Sequence, residues 1–325
     1  MNQEQLKVQA IINPISGVGS KDKIPAMIRD VYEKKGASLN VSFTEYGGHA
    51  SELTRQAIAD GAQIILAIGG DGTVNEVARS MLYSDAILGI IPKGSGNGLA
   101  RELNIPMDTK RALEMISKGN VITIDGCKAN ERVFFTTCGV GFDAAVSEKF
   151  ANEKRRGSLI YVKNILEEYL SYEPEVYELL FDDRQIKEEA FLVACANASQ
   201  YGNNAYIAPK ANLQDGKMDV TILSPFTPLD IAPLAIQLFT KQIKWNSNIK
   251  VIQAGKVSII RQKRGIMHLD GEPVEVGSRI DISVLPGALK VLSPEKMSFT
   301  QEVKGVFEQV TRFLDEKIPY TFRLI

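Results

Sequence analysis

The chain has 325 residues, 44% of them hydrophobic and 24% charged, and its 38 Lys and Arg nearly cancel its 39 Asp and Glu. That length and apolar share suffice for two folded cores, and the charge balance excludes a global attraction for polyanions, so no nucleic-acid partner is expected. Cys127, Cys138 and Cys195 are odd in number, widely spaced and without a CxxC pair, and no run nears the roughly 18 apolar residues of a spanning helix, so disulfide scaffold, structural zinc site and membrane span are excluded in favour of a reducing, cytoplasmic setting.

Along the first hundred residues, short β-rich runs alternate with helical patterns: 8–12 then 23–35, 39–44 then 51–59, 64–68 then 74–82, and 87–91 then 99–103. This order predicts an α/β half with a doubly wound parallel sheet, whose glycine-rich turns stand where such folds place ligands. Beyond Asp125 the texture changes to alternating runs at 133–137, 176–181, 191–196, 218–223, 256–261 and 280–285, which predict antiparallel strands. Helical patterns over 158–172 and 228–243 interrupt them, the second expected mostly as core. Over 298–314, Phe299, Val303, Val306, Phe307, Val310, Phe313 and Leu314 recur at helical spacing. That apolar face is read as docking on the protein's own core, with a homodimer contact or a membrane contact as alternatives.

Gly69, Gly70, Asp71, Gly72, Thr73, Val74, Asn75 and Glu76 directly follow one predicted strand and open the next helix. Glycines allow a sharp turn and close approach of backbone to phosphate, and the first amides of the helix point at the anion. Asp71 at the strand end could hold Mg²⁺, a hard cation that selects carboxylate oxygens, while Thr73 and Asn75 add neutral hydrogen bonds. The plainer alternative is a structural turn with a capping Asp. Two companion turns, Asn13, Pro14, Ile15, Ser16, Gly17 and Pro92, Lys93, Gly94, Ser95, Gly96, Asn97, Gly98, follow other strands, so that several turns could line one nucleotide cleft. No GxxxxGK[ST] or full GxGxxG stands at these turns. In the β-rich half, Asp270 and Glu272 bracket Gly271. Phosphoryl transfer to an alcohol benefits from a carboxylate that accepts the hydroxyl proton, which makes Glu272 the candidate base and Asp270 its support or a metal contact. An exposed hairpin turn is the alternative there, and His268 is read as structural.

In this order the motifs resemble the diacylglycerol kinase catalytic-domain family, which includes sphingosine and ceramide kinases and many bacterial lipid kinases. The resemblance also uses Thr44 before Gly48, His49 and Ala50; Cys138 to Asp143; Ile207, Ala208, Pro209; and Asp215 to Asp219. It implies an ATP-binding α/β domain over 1–125, a β-sandwich lipid-substrate domain over 126–285, and a return segment with the amphipathic helix over 286–325, with the active site in the cleft between the first two. It also implies that Asn13, Pro14, Ser16, Gly17, Thr44, Gly69, Gly70, Asp71, Gly72, Thr73, Asn75 and Ser95 contact ATP, and that Glu272 is the proton acceptor. Asp71 would organise nucleotide and Mg²⁺. The segment from Asn212 to Lys217 matches a structural Mg²⁺ loop, with the Asp215 carboxylate and the backbone carbonyls of Asn212 and Lys217 as ligands. Ser95, Gly96 and Asn97 are closer to the sphingosine and ceramide kinase pattern than to Thr-Thr-Asn, which does not fix the substrate. The helix over 298–314 lies beyond the resemblance.

The implied partner is a membrane lipid, diacylglycerol or sphingoid-type among them, met by transient contact with the inner face of the membrane. Candidate docking surfaces are 228–245, the basic residues Lys154, Arg155, Arg156 and Lys163, and the C-terminal helix. NAD kinases share the Gly-Gly-Asp-Gly-Thr stretch and form the enzymatic alternative. A non-catalytic nucleotide or lipid sensor is the other, although it would not require both Asp71 and Glu272.

Overall fold

Four apolar runs, each too short for a buried helix and each followed by an amphipathic one, fold into parallel strands. They are β1 (Lys7–Ile12), β2 (Ser38–Phe43), β3 (Ile64–Gly69) and β4 (Ile87–Pro92), with α1 (Ile24–Tyr32), α2 (His49–Ala59), α3 (Asp71–Ser80), α4 (Gly98–Glu102) and α5 (Thr109–Lys118) as crossovers. The structure, a computed structural model, describes residues 5–17, 21–152, 168–169 and 171–294. The order is β2-β1-β3-β4. In β1, β3 and β4 five successive residues are buried, as in a sheet covered on both faces. All four strands end at the same edge, so the turns after Ile12, Phe43, Gly69 and Pro92 share one rim.

The β-rich half contributes β5 (Asn120–Ala129), β6 (Arg132–Phe134), β7 (Thr137–Gly141), α6 (Phe142–Asn152), β8 (Glu175–Leu180), β9 (Gln185–Ala190), β10 (Leu192–Ala196), β11 (Met218–Leu223), α7 (Ile231–Phe239), β12 (Ile249–Ala254), β13 (Lys256–Ile260), β14 (Gly265–Leu269), β15 (Glu272–Val276) and β16 (Arg279–Ser293). Six of these strands form an antiparallel sheet in the order β12-β11-β10-β7-β14-β15. It faces β8, β13 and the first half of β16 across a core of Phe134, Tyr177, Val193, Met218, Ile259 and Ile282, with the three cysteines buried as free thiols. The fold is therefore an α/β half followed by a β-sandwich, as expected.

Two long strands serve both halves. β16 runs antiparallel to β5 from Ile282 opposite Ala129 to Ser293 opposite Asn120, with a bulge between Leu285 and Leu289. Its first part pairs with β13 in the sandwich and its last part runs parallel to β4, so one ten-stranded sheet extends through both halves. The boundaries expected at 125/126 and 285/286 fall inside β5 and β16. Buried Asp125 fastens that point: it accepts the Gly287 N–H of the bulge and the Gly216 N–H of the 212–217 loop, each at 2.7 Å.

Several expectations need correction. The run 133–137 is not one strand, because β6 stops at Phe134 and β7 starts at Thr137 where backbone amides turn toward Asp270. The pattern over 228–243 is not one helix. Pro228–Asp230 and Ile243–Trp245 are 3₁₀ turns flanking α7, which ends as Lys241 takes a left-handed φ of 62°. Nor is it mostly core, since no residue of Ile231–Phe239 is buried. Helices α5 and α6 had no counterpart in the sequence reading. Most of 158–172, the basic residues Lys154 to Arg156 with Lys163, and the helix over 298–314 lie outside the described residues.

Candidate active site

The turn after β1, the turn after β3 and the turn after β4 meet backbone to backbone. A Cβ on Gly17, at φ 62°, would come 1.6 Å from the Lys93 carbonyl oxygen, and one on Gly94 would come 2.7 Å from the Gly70 Cα. Only glycine permits this closeness. Asn13 links the first turn to the second through its side-chain N–H, which donates to Thr73 Oγ1 at 3.0 Å, while its Oδ1 accepts the Ile15 N–H. Thr44 directly follows β2 beside them, donating its N–H to the Ile12 carbonyl. Pro14, Ser16 and Ser95 lie on the same rim, where Ser16 Oγ donates to the Asn13 carbonyl.

If this rim is the nucleotide seat that the resemblance implies, replacing Gly17 by alanine pushes these turns apart and weakens nucleotide binding by about tenfold or more, the equivalent of one strained residue. Gly36→Ala is the control, because Gly36 has a similar φ of 71° but open space around it. Equal affinities for ATP in the two variants, measured by calorimetry, would show that the close approach is irrelevant to the nucleotide.

Helix α3 opens this rim. Its first hydrogen bond along the turn runs from the Val74 N–H to the Gly70 carbonyl, so the amides of Asp71, Gly72 and Thr73 stand at the positively polarised end of the helix. Asp71 turns its carboxylate to the next loop: Oδ2 accepts the Asn97 N–H at 2.8 Å and Oδ1 the Gly98 N–H at 2.6 Å. A cation held by Asp71 would share oxygens already engaged in joining two glycine turns. Burial pushes this carboxyl above the usual range, and the Gly98 and Asn97 amides oppose that shift. Asn97 itself, left-handed at φ 50°, is named in the sequence as part of its turn but given no role of its own there. Its side chain both accepts from the Gly94 N–H and donates to the Gly94 carbonyl, locking the loop. The signal was present as an Asn preceding Gly98 at a helix start.

Across the cleft, Asp270 and Gly271 form the two-residue turn between β14 and β15, with φ values of 49° and 85°. The hairpin expected as the alternative reading is thus also the element that enters the site. Asp270 is saturated. Its oxygens accept the N–H groups of Phe135, Thr136 and Thr137, the Thr136 hydroxyl at 2.5 Å, and the Asn75 side-chain N–H at 2.8 Å. It therefore ties the hairpin to β7 and, through Asn75, to α3, and has no spare oxygen for a metal. His268, buried on β14 two residues before Asp270, lies with Nε2 3.1 Å from Asp143 Oδ2, which also accepts the Tyr201 hydroxyl.

The hairpin delivers Glu272 to Gly72 in the first turn of α3, where a Cβ on Gly72 would lie 2.6 Å from Glu272 Oε1. Glu272 opens on a cavity of about 650 Å³ lined by Gly48, Arg55, Gly72, Arg79 and Arg132 among others. Surrounding protein raises its pKa, helped by the charges of Asp270 and Glu76 and opposed by Arg79. Arg79 is held by its Nε donating to Ser51 Oγ, and Glu76 by accepting the Gly48 N–H. In the sequence Glu76 closes the glycine motif without a role of its own, and Arg79 is not singled out, as an Arg at an exposed helix position carries no local signature. Asn212, Asp215 and Lys217 are elsewhere, in the loop fastened by Asp125. There Asn212 Oδ1 accepts the Gln214 N–H and Asp215 Oδ1 the Lys217 N–H, leaving an exposed carboxylate at the tip of a tight curl.

Residues 7–129 match the family described as "Diacylglycerol kinase catalytic domain", and residues 136–293 match the "YegS C-terminal NAD kinase beta sandwich-like domain". The chain is 30% identical over 275 residues to a protein of Pectobacterium atrosepticum named "Probable lipid kinase YegS-like", covering 82% of this chain and 90% of that one. A crystal structure of a putative diacylglycerol kinase from Bacillus anthracis has the same fold, with a TM-score of 0.72 at 24% identity over 90% of this chain and 98% of that one. An NAD kinase from Archaeoglobus fulgidus in complex with ATP is more distant, with a TM-score of 0.52 and 12% identity over 94% of this chain and 99% of that one.

Proposed function

As the chain belongs to the diacylglycerol kinase catalytic-domain family and is a lipid kinase, a phosphotransferase, we propose that it transfers the γ-phosphoryl group of ATP to a lipid hydroxyl, with Glu272 as the general base. The observation that carries this reading is the placement of Glu272, by a hairpin of one half, against Gly72 in the first helical turn of the other. Phosphates at the amides of Asp71, Gly72 and Thr73 would be within reach of a hydroxyl whose proton Glu272 takes.

Each residue then has a limited task. The abutting glycines of the turns after β1, β3 and β4, with Asn13, Thr44 and Ser95 on the same rim, shape the nucleotide seat. Asp71 and Asn97 hold two of those turns in register. Glu272 accepts the proton of the lipid hydroxyl, whose oxygen forms the new bond to phosphorus while the bond to the β-phosphate oxygen breaks and ADP leaves. Mg²⁺, when bound with ATP, supplies charge neutralisation on the phosphates. The exposed Asp215 carboxylate and the carbonyls of Asn212 and Lys217 form an oxygen-only set suited to a second, structural Mg²⁺.

The direct test is transfer of labelled γ-phosphate from Mg-ATP to detergent-dispersed diacylglycerol, sphingoid base, ceramide and phosphatidylglycerol, with NAD in parallel. Label on one lipid is the expected result and names the substrate. Label on NAD alone would overturn the reading, and label on neither would favour a nucleotide or lipid sensor.

A further inference from the structure

The most apolar helix of the described residues turns outward. Leu234 and Leu238 of α7 rest on the outer surface of the six-stranded sheet beside Ile207, Leu223 and Ile243. Around them Leu229, Ile236, Phe239 and Trp245 are 87%, 63%, 55% and 74% exposed. Scattered exposed apolar residues need no explanation, but four large ones on one helix and its flanking turns form a patch.

Apart from Asp230, whose carboxylate accepts the Thr227 N–H and hydroxyl in the turn before α7, the charges along this segment have one sign. Between Asp230 and Asp270 the chain contains no Asp or Glu, while Lys241, Lys244, Lys250, Lys256, Arg261, Lys263 and Arg264 fall in that stretch. Lys250 and Lys256 pair with Glu188 and Asp182, and Arg261 donates to backbone carbonyls. The two lysines nearest the patch instead lie over rings, Lys241 4.4 Å from the Tyr206 centroid and Lys244 4.9 Å from that of Trp245.

Lys241 also occupies an unusual place. The Gln242 N–H returns to the Gln237 carbonyl and the Thr240 N–H to that of Ile236, so Lys241 is the left-handed residue that closes α7, a position where glycine is the ordinary choice. The backbone gives up stability to put a cation at the tip of an apolar helix.

An exposed apolar ridge, a tryptophan at its edge and lysines that reach past their own stems is the arrangement that suits the boundary between acyl chains and anionic headgroups. A protein partner is less well matched, since lysine is depleted at such interfaces. We propose that α7 with its two flanking turns is the surface by which this enzyme docks on an anionic lipid bilayer. Ile236, Phe239 and Trp245 enter the acyl boundary, and Lys241 and Lys244 meet the headgroup phosphates. The proposal takes its motive from the lipid-kinase reading but is tested apart from it.

Trp245 is the single tryptophan of the chain, so its emission reports on this surface alone. On mixing the full chain with vesicles of phosphatidylcholine and phosphatidylglycerol, Trp245 emission should shift to the blue and be quenched by brominated acyl chains. Ile236→Ser with Phe239→Ser should weaken vesicle binding by about tenfold or more, while melting temperature and turnover on detergent-dispersed lipid stay unchanged. Lys241→Gln and Lys244→Gln should each reduce the preference for anionic over neutral vesicles roughly fivefold. Unaltered Trp245 emission would overturn the proposal, whether or not the protein sediments with the vesicles. So would a blue shift that grows with protein concentration without vesicles and tracks a dimer by light scattering. Quenching without turnover on any dispersed lipid would support the docking surface and count against the kinase reading alone.

Discussion

Replacing Glu272 by alanine is expected to lower phosphoryl transfer by about 10²–10⁴-fold, the usual contribution of a general base, while ATP affinity stays within about threefold. The side chain stands at the start of β15 and its carboxylate reaches Gly72, but it holds no part of the fold together, so the melting temperature should change little. Near-normal turnover would remove Glu272 from the mechanism. The pH profile adds an independent check. Partial desolvation in the cleft and the neighbouring carboxylates raise the Glu272 pKa, so the active ionised form is lost sooner as pH falls, and the acid limb of kcat should lie above the pH expected of an ordinary glutamate. The same raised value gives the opposite sign for stability. Its favourable contribution is complete below the unfolded pKa and is lost as pH rises through the folded one, so Glu272→Gln should flatten that decline. Because the Arg79 charge opposes the shift, Arg79→Gln should move the acid limb further up, measured on the same substrate.

Asp270→Ala should be the more damaging change. It removes the acceptor for three consecutive backbone N–H groups, at Phe135, Thr136 and Thr137, and for the Asn75 amide, and it puts alanine at a φ of 49°. A loss of roughly 2–4 kcal/mol is expected for orphaned donors that water only partly satisfies. Activity should fall with stability, since the turn that aims Glu272 is the one released. Asparagine should recover only part, because one of its faces becomes a donor opposite donors. Denaturant unfolding and turnover measured together separate the two carboxylates: Glu272→Ala spares stability and Asp270→Ala does not. A fully stable Asp270→Ala protein would show that the tie is dispensable.

The α/β half was legible because each strand carried its own signal: an apolar run, a following turn, then helical spacing. The antiparallel strands were legible by alternation, and the break between β6 and β7 was not, because its cause is a carboxylate more than a hundred residues away. The same distance hid the pairing of α3 with the Asp270 hairpin, which no local pattern announces. Asp71 shows the limit from the other side. Its residue type and place were compatible with a cation, and only the fold reveals that both oxygens receive the amides of Asn97 and Gly98. For 228–245, apolar spacing alone could not tell a helix facing a core from one facing outward. Burial decided it.

The strands shared by the two halves bear on how the protein can be divided. A fragment ending near residue 129 would keep β1 to β5 but lose β16, the neighbour of both β4 and β5. Two apolar strand edges would then be left open, the condition that promotes pairing between chains. The family segments at 7–129 and 136–293 are thus poor units for separate expression, and a permuted chain would need its new ends on a peripheral hairpin such as that between β8 and β9, which leaves the shared ribbon uncut.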